Sequence, residues 1–309
     1  MPLFYHSGAL GDFLLALPFL KAIRTAHTSW TLATREEHAA LVSRLFPHER
    51  RLSCESRLLS PLSAVEPDRG ALAALLERYG GLFGFVREAR ALEDLSRQLR
   101  PRLPVALAEP FAYATAHGQS IEQVLEDVIS RARNEAGASL SSEDFAFPLE
   151  ELPPLDPGSD PLGFLGGASR ERVALIHIGA SGPSKVAPTS LFREVARRLS
   201  ELRRTVGWIA GPVEVARGRE PPPGPCLLSP SLPLLAHAAA AADLYIGCDT
   251  GPTHLASMLG VSTVALHGVE NPAWRPRGRK ARVVGGAGGF PAADEVLRAV
   301  HDLEARSQD

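Results

Sequence analysis

The sequence predicts an α/β protein built from two parallel-sheet domains, and three observations carry that prediction. Short apolar runs of strand length alternate with longer stretches of helical spacing along nearly the whole chain, the pattern that builds open parallel sheets covered by helices. The chain has 309 residues, more than one compact core usually serves, and a split into halves of about 150 is the natural division. Between residues 147 and 167 the composition turns to proline, glycine and acidic residues. Leu152-Pro153-Pro154-Leu155-Asp156-Pro157-Gly158 lies at its centre and reads as a linker, separating domains 1–155 and 156–309.

Each element has its own sequence warrant. Leu3-Phe4-Tyr5-His6 is a short strand, Ser7-Gly8-Ala9-Leu10-Gly11 a glycine-bearing loop, and the run from Asp12 to His27 a helix bent at Pro18. Strands at 30–33, 51–54, 81–86 and 104–108 alternate with helices at 36–46, 69–79 and 89–99. The helix at 120–136 repeats Ile121, Val124, Leu125, Val128 and Ile129 at helical spacing and closes the first domain. In the second half, Arg172-Val173-Ala174-Leu175-Ile176-His177-Ile178 is the clearest buried strand. A helix capped by Thr189 or Ser190 follows it, then a strand at 205–210, a short helix at 213–217 and a stiff proline loop at 220–225. An alanine-rich helix at 232–242, strands at 243–247, 261–266 and 281–284, and a helix from Ala292 to Leu303 complete the chain.

Composition excludes several classes of function. Lys and Arg total 33 against 35 Asp and Glu, a net charge of −2, so no global basic field recommends nucleic acid as a partner. The three cysteines, Cys54, Cys226 and Cys248, are odd in number and lack CxxC spacing, which argues against a disulfide framework or a zinc site and for a reducing cytoplasm. The apolar run from Phe13 to Leu20 follows Asp12 and ends at Lys21. It is too short for a membrane span and wrongly flanked for a signal peptide, so the expectation is a soluble, unprocessed protein.

Chemistry concentrates in three loops. Ile246-Gly247-Cys248-Asp249-Thr250-Gly251-Pro252-Thr253-His254-Leu255-Ala256 compresses strand, turn and helix start, with Pro252 in a first helical turn and Gly260 ending the helix. A helix start offers partnerless N–H groups and a positive dipole end, a setting for a phosphate. A carboxylate there repels phosphate, so Asp249 either binds hydroxyls on what the phosphate carries or, like Thr250, serves as an N-cap worth about 1 kcal/mol. In Gly179-Ala180-Ser181-Gly182-Pro183-Ser184-Lys185, Lys185 can neutralise phosphate as a mobile point charge, with Ser181 and Ser184 as hydroxyl donors. The alternatives are a solvated lysine and serines that only shape the turn. Asp12 is either a helix cap or a general base, a role typically contributing about 10²- to 10⁴-fold in rate.

All three loops follow strands, and ligands of open α/β sheets collect beyond the carboxyl ends of strands. A cleft between the two domains would unite them. His177 and His254 read as structural histidines, and no carboxylate is spaced with them for a metal. Ser181, His254 and Asp249 could form a hydrolase triad, but the nucleophile-elbow motif G-x-S-x-G is missing. Gly8 and Gly11 give G-x-x-G rather than a dinucleotide fingerprint, so an NAD-dependent oxidoreductase has weak support.

The motif Gly8-Ala9-Leu10-Gly11-Asp12-Phe13-Leu14-Leu15-Ala16-Leu17-Pro18 resembles the opening of glycosyltransferase family 9, the ADP-heptose:lipopolysaccharide heptosyltransferases. His177-Ile178-Gly179-Ala180-Ser181-Gly182-Pro183-Ser184-Lys185 resembles the family's donor-phosphate loop, and Asp249-Thr250-Gly251-Pro252-Thr253-His254-Leu255-Ala256 its donor-sugar signature, in the same order and spacing. The resemblance implies two facing Rossmann-like domains of the GT-B type, the acceptor half first and the nucleotide-sugar half second, with the last helix packing back on the first domain. It implies inverting transfer of a sugar, heptose by family, without a catalytic metal or a cofactor beyond an ADP-sugar donor. Asp12 would be the base and Lys185, with Ser181 or Ser184, would stabilise the departing diphosphate. The N–H groups of Thr250, Gly251 and Thr253 would hold that diphosphate, Pro252 having none to give, while Asp249 grips sugar hydroxyls. The implied acceptor is a lipopolysaccharide-core or related glycan, met in the cytoplasm with peripheral contact at the inner membrane.

Two positions depart from the pattern. Tyr5-His6-Ser7 stands where the family commonly has a basic residue, and Val186-Ala187-Pro188 where it commonly has an aromatic one. These departures leave a second reading open, a nucleotide- or sugar-binding module without turnover.

Overall fold

Every pairing between the strands of the two sheets is parallel, as alternating strand and helix patterns demand. The computed structural model describes residues 1–306 other than 48, 49, 65, 136 and 181. Two units, Met1–Asp144 and Phe145–Asp309, divide the chain.

The first unit runs β1 (Leu3–Tyr5), α1 (Leu10–Leu15), α2 (Leu17–Ala26), β2 (Thr31–Thr34), α3 (Glu36–Leu41), β3 (Arg50–Ser53) and α4 (Ser60–Ser63). It continues through α5 (Arg69–Arg78), β4 (Leu82–Phe85), α6 (Ala89–Leu99), β5 (Val105–Ala108), α7 (Phe111–Ala116) and α8 (Ile121–Arg133). The sheet order is β3-β2-β1-β4-β5. β1, β2 and β4 are buried on both faces, which explains their unbroken apolar character. The helix expected over 12–27 is two helices: α1 stops at Leu15, and α2 takes Pro18 into its first turn, where a missing N–H leaves no intrahelical bond unmade. α7, which the sequence analysis passed over, is one short turn pair after Pro110 that buries Phe111 and Ala114, too brief to show a helical period.

The second unit runs β6 (Val173–His177), α9 (Thr189–Glu201), β7 (Thr205–Ala210), α10 (Pro212–Ala216), β8 (Cys226–Leu228) and α11 (Leu232–Ala240). Then follow β9 (Leu244–Cys248), α12 (Gly251–Met258), β10 (Ser262–His267), β11 (Ala281–Gly285) and α13 (Ala293–Ala305). Its sheet order is β11-β10-β9-β6-β7-β8. Pro188, rather than Thr189 or Ser190, occupies the N-cap of α9, with both hydroxyl residues already inside the first turn.

The stretch read as a linker docks on this second unit. Phe145 and Phe147 are buried, the Phe147 N–H donates to Met258 O at 2.8 Å, and His237 Nε2 lies 2.8 Å from Pro153 O. These apolar anchors hold 145–153 against the second unit despite the flexible composition around them. The last helix, α13, buries Val296, Ala299, Val300 and Leu303 in the core cluster that also holds Ile176, Ile246 and Val264 of β6, β9 and β10. Among the described residues no helix is long and apolar enough to cross a membrane.

One buried charge fastens the far edge of the first unit. Glu93 of α6 is 6% exposed, accepts from the Leu107 N–H of β5 at 2.5 Å and pairs with Arg131 of α8, whose Nη2 donates to Leu107 O at 2.8 Å. Arg97 adds a second contact at 2.9 Å. Removing one partner of a buried pair leaves a carboxylate short of compensation. Arg131→Met should lower the opening free energy of α6 and β5 by about 2 kcal/mol, the remaining Arg97 contact moderating the loss. Hydrogen exchange of these amides in rising urea measures it, and an unchanged opening energy would show that Glu93 does not rely on Arg131.

Candidate active site

Chain direction through the second sheet locates the site. β6 comes first in the chain yet sits between β9 and β7, so the chain winds outward one way through β7 and β8 and the other way through β9, β10 and β11. At such a reversal the loops leaving adjacent strands diverge and open a crevice beyond their carboxyl ends. β6 and β9 are paired through His177↔Gly247. The loop after β6 carries Lys185 and the turn after β9 carries Asp249, so two residues remote in sequence emerge side by side.

They meet directly. Lys185 Nζ donates to Asp249 Oδ2 at 2.7 Å. His254 Nε2 approaches Asp249 Oδ1 at 3.7 Å, a polar neighbour outside hydrogen-bond reach. The Asp249 side chain is only 10% exposed and that of Lys185 39%. Burial pushes the Asp249 carboxyl up, but His254 and the Lys185 ammonium outweigh it and hold its pKa at about 2. A cavity of about 430 Å³ has Val186, Ala187, Pro188, Glu214 and Arg219 in its lining, the first three being the residues that follow Lys185 in the chain.

The supports of this pair are built from the same two strands. Thr253 Oγ1 donates to Cys248 O at 2.7 Å and lies 3.2 Å from Thr250 Oγ1, closing the turn over Gly247. A Cβ at Gly247 would stand 2.5 Å from Thr253 Oγ1, so the approach requires glycine. The Ala187 N–H donates to Cys248 Sγ at 3.3 Å, tying the end of the lysine loop to β9. Burial raises the Cys248 thiol to about 11, which makes it a packing group and not a nucleophile. His177 is buried, 3.7 Å from Glu214 Oε2, and Glu214 in turn accepts from the Gly211 N–H at 2.9 Å. His177 therefore sits inside the fold without a hydrogen bond from Nε2 to Glu214 at that distance.

Thr250 is the N-cap of α12, but its side chain makes no capping hydrogen bond, and Asp249 is committed to Lys185. Thr250 thus holds the N-cap position without capping through its side chain, and Asp249 is engaged by Lys185 instead. Gly251, Pro252, Thr253 and His254 form the first turn of this eight-residue helix, whose leading N–H groups lack intrahelical acceptors. Ser184 is exposed in the turn before Lys185, and Ser181 lies outside the described residues.

Two contributors come from β10 and its following loop, where no motif marked them. Trp274 places its ring 5.9 Å from Lys185 Nζ, within cation–π range, so an aromatic does accompany the lysine although Val186-Ala187-Pro188 supplies none. His267, at the end of β10, is buried, and burial lowers its pKa despite the nearby Asp249.

In the first unit, Asp12 stands in the first turn of α1, not at its N-cap, which is Ala9; its Oδ2 accepts from the Ala9 N–H at 3.2 Å. Gly11 precedes it in the same turn. Gly8 is crowded: a Cβ there would lie 2.9 Å from His6 Cε1 and 3.0 Å from Asp12 Cβ. His6 is buried, and desolvation, helped by the charges of His38 and Arg35, drops its pKa to about 3. The residue in the family's basic position is thus neutral. A cation nevertheless reaches the loop from β2: Arg35 donates through Nε to Gly8 O at 3.2 Å and through Nη2 to Ser7 O at 3.4 Å.

The Lys185–Asp249 pair has a pH signature. Its folded-state carboxyl pKa lies below the ordinary 3.8, so its contribution is complete above that value and is lost as pH falls toward about 2. The amount, shared between the His254 and Lys185 contacts of Asp249, is about 2 kcal/mol. Asp249→Asn should therefore flatten the acid-induced loss of second-unit stability in this window, read from hydrogen exchange of β9 and α12. An acid profile as steep as the wild type's would contradict a lowered Asp249 pKa in the folded protein.

Comparison with known proteins adds three findings. The sequence profile of glycosyltransferase family 9 (heptosyltransferase) matches residues 132–296. No curated protein sequence matches the chain. Among solved structures, a family 9 glycosyl transferase from Veillonella parvula is 16% identical with a TM-score of 0.69, covering 99% of this chain and 97% of its own. The E. coli ADP-heptose lipopolysaccharide heptosyltransferase II is 17% identical with a TM-score of 0.65, covering 100% and 99%. The E. coli heptosyltransferase WaaC with ADP-2-deoxy-2-fluoro heptose is 20% identical with a TM-score of 0.59, covering 97% and 99%.

Proposed function

Because the chain belongs to glycosyltransferase family 9, and is a glycosyltransferase on that ground, we propose that it transfers heptose with inversion from ADP-heptose to a lipopolysaccharide-core or related glycan acceptor. The observation that carries the reading is the Lys185–Asp249 pair beside the start of α12, at the reversal between β6 and β9. A diphosphate arriving there meets an ammonium and helix N–H groups, while Asp249, released from Lys185, faces the hydroxyl-rich sugar that the diphosphate carries.

Asp12 accepts the proton of the acceptor hydroxyl as its oxygen attacks the anomeric carbon. The bond from that carbon to the phosphate oxygen breaks, and the electron pair leaves with ADP. Charge growing on the diphosphate is met by Lys185 and by the N–H groups of Gly251 and Thr253. Thr250 adds its own N–H, and Ser181 and Ser184 their hydroxyls. The acceptor being a glycolipid precursor, the enzyme works in the cytoplasm against the inner face of the inner membrane.

Asp12→Asn keeps the Ala9 contact as an amide oxygen but loses the base. It should lower kcat by about 10²- to 10⁴-fold, with ADP still raising the melting temperature as in the wild type, since a ligand at about 100 times its Kd stabilises by roughly 2.7 kcal/mol. Loss of the ADP shift in this variant would discredit the base assignment. Saturable ADP binding by the wild type, without product from any lipopolysaccharide-core acceptor, would favour the binding-module reading prompted by His6 and by Val186-Ala187-Pro188.

A further inference from the structure

Arg35 is an arginine that the transfer reading does not use. It stands immediately after β2, the strand paired in parallel with β1, so both chain segments leave at the same carboxyl end of the first sheet. Its guanidinium bridges the two carbonyls that open the glycine loop, Ser7 O and Gly8 O. Both are neutral acceptors, and the side chain is exposed. A guanidinium has five N–H donors and keeps its charge at any working pH, so donors and charge remain beyond the two that grip the loop.

The immediate surroundings sharpen the point. The buried ring of His6, with its pKa at about 3, brings no positive charge. The ring of His38, from α3, is held down to about 4 by burial and by Arg35 itself. Arg35 is thus the charged member of a group whose other cationic candidates are neutral. Through Gly8, whose Cβ position lies 3.3 Å from Asp12 Oδ2, its contact reaches the residue proposed as the base.

We infer that Arg35 binds an anionic group of the acceptor, a phosphate or a carboxylate, and holds it against the glycine loop beside Asp12. The inference rests on the transfer reading for the identity of the acceptor. Arginine suits the task because its planar fork engages an oxyanion in two parallel hydrogen bonds while another edge stays on the carbonyls. Arg35 is a binding and positioning residue in this account, with proton transfer left to Asp12.

The test is calorimetric titration of a lipopolysaccharide-core fragment into ADP-saturated protein. The wild type, Arg35→Gln and Arg35→Lys are each titrated with the intact fragment and with one treated with phosphatase. Arg35→Gln should weaken binding of the intact fragment by at least about tenfold, Arg35→Lys should recover part of it, and ADP affinity should stay unchanged. In turnover, KM for the acceptor should rise with kcat held within about threefold. If phosphatase treatment abolishes the gap between wild type and Arg35→Gln, the anion is a phosphate; if the gap persists, it is a carboxylate. Equal affinities of wild type and Arg35→Gln for the intact fragment, or no binding by the wild type, would overturn the inference. Arg35-dependent binding without any transfer by the wild type would instead count against the catalytic reading and leave the anion site standing.

Discussion

The ion pair between Lys185 and Asp249 is the interaction on which the second unit's site depends. Neither residue is near the other in sequence, and they meet because β6 and β9 are neighbours at the one place where chain progression through the sheet reverses. With its carboxylate buried and its ammonium partly exposed, the pair is a modest device for stability, since taking Asp249 out of water offsets much of the attraction. It is better understood as a charge store. Asp249 shields Lys185; under the proposed function, a diphosphate would supply the lysine with a second partner and free the carboxylate for hydroxyls.

Such an exchange needs a rigid background, and the supporting contacts provide one. Thr253 closes the turn over Gly247, Cys248 holds the loop end through the Ala187 N–H, and Glu214 braces His177 against the Gly211 N–H. Each of these contacts starts from a strand terminus or a helix start and not from a long loop. Preorganised donors are worth more than mobile ones because little is left to reorganise when charge develops on a leaving group. Trp274 contributes a different control. A ring face near the ammonium attracts it without competing for the hydrogen bonds a phosphate would use.

Much of this was legible in the sequence, for reasons visible in particular residues. β6, β9 and α12 were marked by apolar runs ended by glycine or proline, and the turn between β9 and α12 by its density of small and polar residues. What escaped notice has a common cause. Arg35, Trp274 and His267 enter their sites from neighbouring strands, so strand order and not local pattern places them. β8 is three residues long after a proline-rich loop, below the length at which alternation can be recognised. The stretch at 145–167 has a linker's composition, yet Phe145, Phe147, Leu162 and Leu165 anchor it by burial. Asp12 caps its helix from within the first turn, a geometry that residue type alone did not distinguish from an N-cap.

The claim that the β6–β9 reversal holds a nucleotide diphosphate through Lys185 is tested most directly by titrating ADP into the wild type and Lys185→Gln, with heat of binding as the readout. Gln keeps most of the length and a polar end, and removes the charge. The account predicts an ADP affinity weaker by at least about tenfold, since a charge-assisted contact of this kind is worth roughly 1.5–3 kcal/mol. Equal ADP affinity in the two proteins would contradict it.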